Sequence, residues 1–575
     1  MKTKLPIIIV LLIALFLRLY QLGSLPASLF GDEVDVGYHA WSLATTLRDY
    51  RGNFLPTYIQ SLSEARAPLL MYLTAPFVGL FGPSNFSVRL PSALMGVASL
   101  YLVYLLTNLL FGKKKLTPQG WPNGLPWGEI DIGLIAAIVL AFAPWHLHYS
   151  RSAFELTTLF FLTLLGVYWY LRGRQETKYL RLFLLPFVLT FYTYSTANLF
   201  TPFLLVLLLF LFPPDLKKVK NRGTALSLIV SLLLILPILY HLTFGAAVGR
   251  FRLINIFSDQ KSIDQIIIDR TRPWVTNPVF EKVFHNKAAT FLAAFGTNYL
   301  TSFSTEFLFI SGDPNFRQSI SRFGELLVIF APFLLAGLII IGRDLKNRAS
   351  LFLLLWLLLV PLGSSLTIAG GNHASRLFLM LFPLSVLIAV GFIEGLSLIK
   401  NKKLVSLIVL STLIGLLVNF AAYWYRYSAH YRYESARVWQ YGYESLMQQA
   451  RPYLDRPERV FINNTYDPAL YRFAFYTKLP PRDFQKMFAG DIPTENLLPG
   501  FNGFQFGNRF FFGRTATLEA MQNLLRPGDL YLAVQGEEIP GDWDWSQSPP
   551  AGIKALATVR NFYGQPLMYV LEKVR

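Results

Sequence analysis

Apolar runs about as long as a bilayer is thick recur along this chain, with basic residues gathered in the short loops between them. A helix crossing the hydrocarbon core needs about 20 mostly apolar residues. Eleven such runs fall near residues 5–21, 88–111, 130–146, 153–171, 179–194, 198–212, 224–243, 323–342, 350–368, 377–399 and 404–424. The fifth and sixth are short and meet at Tyr194-Ser195-Thr196-Ala197-Asn198. Charged residues make up 15% of the chain, against roughly a quarter in an average soluble protein. This pattern excludes a disordered chain, a coiled coil and an ordinary soluble enzyme. The fold class expected is a polytopic α-helical membrane protein with about eleven transmembrane helices.

Loop charge orients the spans. Lys113, Lys114 and Lys115; Arg172, Arg174, Lys178 and Arg181; Lys217, Lys218, Lys220 and Arg222; Arg343, Lys346 and Arg348; and Lys400, Lys402 and Lys403 form five basic clusters. All five share one side if there are eleven spans and the N-terminus is cytoplasmic, as the positive-inside rule asks. The net charge of +18 reflects those loops first and an anionic substrate second. The first run follows Lys2 and Lys4, carries Arg18 near its end and is followed by no small-residue cleavage site, so it reads as a retained span rather than a signal peptide. The expected location is the cell membrane, multi-pass, with the C-terminus outside.

Three pieces then lie on the outer face: loops near 22–87 and 244–322, and a tail from 425 to 575. The division is a membrane module, 1–424, and an extracytoplasmic soluble domain, 425–575. In the tail, Arg459–Ile462, Asp529–Val534 and Leu567–Leu571 alternate as strands do and Thr517–Leu525 reads as a helix, so a small α/β domain is expected. Cysteine is absent, so no disulfide framework or thiolate metal site is available. Neither a Walker A sequence nor a GxGxxG after a strand occurs, which argues against an ATP-driven pump. No nucleic-acid partner is expected.

Four outer segments carry groups suited to chemistry. Gly31-Asp32-Glu33-Val34-Asp35 places three carboxylates just past the first span. One of them is suited to act as a general base or to hold a divalent cation through oxygen; alternatively they form an acidic helix start. Ser63-Glu64-Ala65-Arg66-Ala67-Pro68 sets an acid and a base before an apolar run that re-enters the membrane. Arg66 is suited to a phosphate, or to an interfacial ion pair. Pro144-Trp145-His146-Leu147-His148-Tyr149-Ser150-Arg151 runs on to Glu155, with Arg151 and Glu155 four apart and directed at the bundle or a cavity. Its two histidines make a weak ligand pair, and an interfacial belt is the plainer reading. Gly370-Gly371-Asn372-His373-Ala374-Ser375-Arg376 brings in an arginine with no acidic neighbour in sequence, suited to a ligand phosphate or to headgroups. If these segments converge at the outer leaflet, they suit a reaction between a lipid-phosphate donor and an extracytoplasmic acceptor.

Asp32-Glu33 after the first span, Glu64 to Pro68, Ser87-Val88-Arg89-Leu90-Pro91-Ser92, His148 to Arg151 with Glu155, and Arg376 before the tenth span stand in an order that resembles the GT-C glycosyltransferases. The likeness is to the branch of protein O-mannosyltransferases and aminoarabinose transferases (ArnT-like, family 39) in a bacterial form, and covers residues 1 to about 425. It implies transfer of a sugar, with inversion, from a polyprenyl-phosphate sugar to a protein, lipid or cell-envelope glycan acceptor outside the cytoplasm. Asp32 would be the general base and Glu33 its assistant. Glu64 would lie near the reaction centre and Arg66 near the donor phosphate, although Ala67 stands where relatives carry a proline. Arg89, His148, Arg151, Glu155, His373 and Arg376 would support substrate. The resemblance requires no cofactor; a divalent cation at Asp32 or Glu64 is left open. Other readings are a lipid-linked glycan ligase or polymerase, a transporter with an outer domain, and a non-catalytic scaffold. Transport is disfavoured because the charged residues sit at span ends rather than at mid-bilayer.

Overall fold

The computed structural model describes residues 5–61, 64–112, 115–116, 130–215, 222–243, 255–271, 278–320, 322–465, 469–535 and 544–574. Helix α1 (Leu5–Leu19) is followed by α2 (Gly31–Thr46). A hairpin of two three-residue strands comes next, β1 (Ile59–Ser61) and β2 (Glu64–Arg66), with Ile59 opposite Arg66 and Ser61 opposite Glu64. Then come α3 (Leu69–Phe81), α4 (Asn85–Phe111), the short paired strands β3 (Lys115–Leu116) and β4 (Ile130–Asp131), α5 (Ile132–Phe142), α6 (Pro144–Tyr149) and α7 (Leu156–Gly173).

Six helices among the described residues are long and apolar enough to cross a membrane: Asn85–Phe111, Leu156–Gly173, Gly223–His241, Arg348–Ser365, Ala374–Ser397 and Lys402–Glu434. Shorter apolar helices at Leu5–Leu19, Ile132–Phe142, Ala197–Leu211 and Val328–Arg343 fall on expected spans, whereas Leu69–Phe81 occupies the re-entering run. The run at 179–194 is not one helix. It forms Thr177–Leu180 and Leu184–Thr190, separated by residues 181–183. Arg181 interrupts the apolar pattern there, and Pro186, having no N–H, fits the first turn of a helix better than its interior.

Leu381–Ser397, buried along nearly its whole length, packs against the helices Ala331–Arg343, α5 and Arg348–Ser365. Its Gly391 and Gly337 of the helix Ala331–Arg343 let the two backbones touch. A Cβ at Gly337 would lie 1.9 Å from the Leu387 carbonyl oxygen, and one at Gly391 would lie 1.9 Å from that of Phe333. Small residues at such crossings are the usual means of close helix contact where solvent supplies no hydrophobic drive.

The tail folds around a seven-stranded sheet ordered β10-β11-β9-β5-β8-β7-β6. Its strands are β5 (Val460–Asn463), β6 (Thr494–Leu498), β7 (Phe501–Phe506), β8 (Phe510–Thr515), β9 (Leu530–Val534), β10 (Ile553–Arg560) and β11 (Pro566–Lys573). Central β5 is buried at all four positions and runs parallel to β8 and β9, as a strand covered on both faces should. The expected strands coincide with β5, β9 and β11, and the expected helix is Leu518–Leu524, whose Thr517 side chain caps it by accepting the Ala520 N–H at 3.2 Å. The tail does not stand apart from the membrane module. Val34, Tyr38 and Leu43 of α2 and Leu70 and Met71 of α3 share one hydrophobic core with tail residues such as Leu446, Leu470 and Phe484.

Candidate active site

Helix α2 starts where the chain leaves α1, and its first turn carries Asp32 and Glu33. Carboxylates suit that position because the first N–H groups of a helix have no partner within it. Adjacent residues on a helix point about 100° apart, so Asp32 and Glu33 meet different surroundings. Glu33 turns inward. Its Oε2 accepts the Phe30 N–H at 3.0 Å and an Arg89 Nη2–H at 2.9 Å; its Oε1 accepts Arg89 Nε–H at 3.0 Å and the Ala153 N–H at 2.7 Å. Arg89 spends its remaining donors on the carbonyls of Leu22, Pro26 and Ser28. Both side chains are fully buried. This pair ties α2, α4, the 22–28 segment and the turn before α7 together.

Asp32 faces outward. Arg66, at the end of β2, donates from Nη2 to Asp32 Oδ1 at 2.5 Å, with Asp32 34% and Arg66 12% exposed. Asp35 lies one turn further along α2 on the same face and is wholly buried. It accepts a hydrogen bond from Ser61 of β1 and a longer one, 3.5 Å, from the Tyr50 hydroxyl, and His39 Nε2 is 3.6 Å away. The β1–β2 hairpin that presents Arg66 is therefore pinned to the helix that presents Asp32. Burial works against the Arg66 charge, but Asp32, Asp35 and Glu155 outweigh it and hold the guanidinium above its ordinary range. Burial pushes the Asp35 carboxyl up to about 6 against the pull of Arg66 and Ser61, and Asp32 adds to the push. Burial, then Arg66 and Arg51, keeps His39 neutral by pushing it well below its usual value. One guanidinium thus sits among three carboxylates, two on α2 and one, Glu155, just ahead of α7.

The other expected site residues are placed differently. Arg151 is fully buried and caps the C-terminal end of α1, donating to the carbonyls of Leu17 at 2.6 Å, Arg18 at 3.2 Å, Tyr20 at 2.7 Å and Leu25 at 3.1 Å, and to the Tyr427 hydroxyl at 3.2 Å. This satisfies carbonyls that the helix end leaves open. His148 bonds through Nε2 to the Arg317 carbonyl at 2.8 Å, within an aromatic cage of Tyr427, Tyr431 and Trp439. Arg376 donates to Thr367 Oγ1 at 2.5 Å and the Ile368 carbonyl at 3.3 Å, and its charge acts on Asp313. His373 begins the short helix Ala374–Leu377 that carries Arg376. The Glu64 backbone lies in β2, but its side chain is outside the described residues. Among the described residues no three His, Asp or Glu side chains gather as a metal site.

Sequence reasoning counts Asp35 among the three carboxylates but gives it no role of its own, although its spacing of three from Asp32 signals that both share a helix face. An apolar cleft of about 420 Å³ lies between the helices Ala197–Leu211 and Arg348–Ser365, lined by Phe203, Phe210, Leu355, Leu358 and Leu362, with Tyr299 at its side.

The family model described as dolichyl-phosphate-mannose-protein mannosyltransferase matches residues 65–117, which include Arg66 and Arg89. YycA of Bacillus subtilis (strain 168), provisionally named a mannosyltransferase, is 26% identical over 183 residues, 31% of this chain; the match spans 23% of that relative's length. The apo structure of ArnT from Cupriavidus metallidurans superposes with a TM-score of 0.50 at 12% identity, covering 98% of this chain and 97% of ArnT. The same protein bound to undecaprenyl phosphate gives 0.49 at 12% identity, covering 98% and 96%. The chain therefore shares the fold of the ArnT structure along nearly its whole length, and its β2–α4 segment matches the mannosyltransferase family model.

Proposed function

We propose that the protein is an inverting membrane glycosyltransferase that moves a sugar from a polyprenyl-phosphate carrier to an acceptor on the extracytoplasmic side, with Asp32 as general base. The observation that carries this reading is the partly open Asp32–Arg66 pair at the start of α2. It sets a proton acceptor and a phosphate-binding cation side by side. An acceptor O–H or N–H attacks the anomeric carbon as Asp32 takes its proton. The bond from that carbon to the phosphate oxygen breaks, and its electron pair leaves with the phosphate. A guanidinium offers paired donors to that oxygen and stabilises the charge that grows there. Because the phosphate ester is itself the leaving group, no nucleotide is needed.

In the resting arrangement Arg66 neutralises Asp32 and so weakens it as a base. A donor phosphate competing for Arg66 frees the carboxylate when the sugar is in place. Glu155 and Asp35 hold Arg66 charged throughout. Arg89, Glu33 and Arg151 serve this site as its frame, their hydrogen-bonding capacity being spent within the protein. The apolar cleft supports the reading of an isoprenoid donor, and undecaprenyl phosphate is what the Cupriavidus relative binds. The charge of the basic loops supports a site outside the cytoplasm. Protein, lipid and envelope glycan all remain in the acceptor class.

The test is to incubate the purified protein in nanodiscs with a panel of radiolabelled polyprenyl-phosphate sugars and membrane acceptors. Transfer by the wild type, lost in a folded Asp32→Asn variant, is the expected result. Normal transfer by that variant would remove Asp32 as the base, and no transfer by the wild type from any donor would remove the function.

A further inference from the structure

We propose that Gln440, in the tail, is a positioning residue for the base-bearing turn of α2, so that the extracytoplasmic domain completes the active site rather than merely covering it. This rests on the reading of Asp32 as the general base.

Gln440 lies 409 positions along the chain from Gly31, yet its side-chain Oε1 accepts the Gly31 N–H at 3.1 Å. Gly31 is the first residue of α2 and the immediate neighbour of Asp32. The same Oε1 also accepts from Arg472 Nη2, on the helix Ala469–Tyr476. The amide oxygen is therefore held between a backbone donor of the catalytic turn and a buried guanidinium of the tail. Arg472 is itself fully buried, with its guanidinium over the Tyr443 ring at 4.5 Å.

Gln440 adopts this place at a conformational cost. Its φ of +54° is in the left-handed region, which a residue with a Cβ adopts only where its surroundings impose it. Its neighbours supply that constraint. Trp439 is buried beneath the Arg89 guanidinium at 5.6 Å and donates from Nε1 to the Tyr431 hydroxyl at 2.6 Å. The residue that reaches Gly31 thus follows directly on one that packs against the Glu33–Arg89 pair.

The rest of α2 is also tied to the tail, but away from Asp32. Tyr38 donates to the Leu479 carbonyl at 2.9 Å, and Gln485 Nε2 donates to Ser42 Oγ at 3.0 Å, Thr46 Oγ1 at 3.1 Å and the Asp49 carbonyl at 2.8 Å. Phe475 packs so closely on Gly37 that a Cβ there would stand 2.8 Å from its ring. Those contacts hold the helix. The Gln440 bond holds the turn whose displacement would change the distance from Asp32 to Arg66 and to a bound acceptor. A shift of about 1 Å at such a group is enough to cost a large factor in rate.

The experiment compares Gln440→Ala and Gln440→Glu with the wild type, measuring kcat and donor KM for sugar transfer, thermal stability, and amide hydrogen exchange at the start of α2. Glutamate keeps an oxygen for the Gly31 N–H and for Arg472. The expected result is a kcat lowered about 10-fold in the alanine variant, with donor KM within about twofold and faster exchange at Gly31, and recovery of most of the rate in the glutamate variant. A wild-type kcat in the alanine variant overturns the proposal. So does an equal loss in both variants accompanied by lower thermal stability, which marks a purely structural brace. A wild type that transfers no sugar overturns the functional reading and this proposal together, whereas an active wild type beside a fully active alanine variant overturns the positioning role alone.

Discussion

Asp32 and Glu33 are adjacent, both are acidic, and each meets an arginine, yet they form two different kinds of ion pair. The Glu33–Arg89 pair is closed: both groups are fully buried, and backbone carbonyls and N–H groups take up the rest of their hydrogen-bonding capacity. The Asp32–Arg66 pair is open, with a third of the aspartate exposed. A buried pair whose every lone pair and proton is used holds elements together and has nothing left for a ligand. An open pair contributes little stability and keeps room for a substrate to compete for it. Similar ion pairs one position apart thus differ in burial by the direction in which the helix points them, one closed into the frame and one open to a ligand as the proposed function requires.

The sharpest break of this comparison is in the rate. Asp32→Asn is expected to lower transfer by about 10²–10⁴-fold, the usual range for a lost general base, while leaving the melting temperature close to that of the wild type. Next comes stability. Arg89→Ala strands Glu33 in the interior and is expected to destabilise the protein by about 3–5 kcal/mol, read by thermal or denaturant unfolding in detergent. A melting curve unchanged by Arg89→Ala would show that the buried pair does not hold the frame.

A smaller effect tests Asp35, which belongs to the closed class by burial and to the open class by its proximity to Arg66. Its carboxyl is pushed up to about 6 from 3.8, so its contribution favours the folded state fully below about pH 4 and is lost as pH rises through 6. Each pH unit between those two values is worth roughly 1.4 kcal/mol, so wild-type stability is expected to lose about 3 kcal/mol from this group between pH 4 and 7. Asp35→Asn should remove that dependence, and parallel pH profiles for the two proteins would refute the assignment. A comparable or smaller change is expected for Arg66→Ala, about 1–3 kcal/mol, because its pair with Asp32 is partly solvated while its charge also serves the buried Asp35. Its donor KM should nevertheless rise, with Arg66→Lys intermediate because an ammonium cannot pair two donors with a phosphate.

Much of this architecture could be read directly from the residues. The apolar runs near 88–111, 153–171 and 404–424 are helices because a bilayer-length apolar segment must satisfy its own backbone. The carboxylates at Gly31–Asp35 and the basic residue before Pro68 stood out as charges beside apolar runs, and the structure pairs Asp32 with Arg66. The misreading at 179–194 arose where the pattern was short and carried both Arg181 and Pro186. Strands β7 and β8 were missed because Phe501–Phe506 and Phe510–Thr515 are aromatic on both faces and show no clean alternation. The roles of Arg89 and Arg151 had no local signature, since a guanidinium that caps a distant helix and one that awaits a phosphate are spelled alike.

By itself the sequence determined that the chain is a helical membrane protein, that an α/β region follows the apolar helices, and that acids and arginines gather in particular loops. Periodicity and charge over short stretches are enough for that, because each span and loop answers to its own solvent. Only the tertiary structure decided which arginine meets which acid, that Asp35 is buried beneath the Asp32–Arg66 pair, and that Gln440 reaches Gly31 across 409 positions. Those outcomes depend on burial and direction, which arise when distant segments exclude water from one another, and no short stretch of residues encodes them.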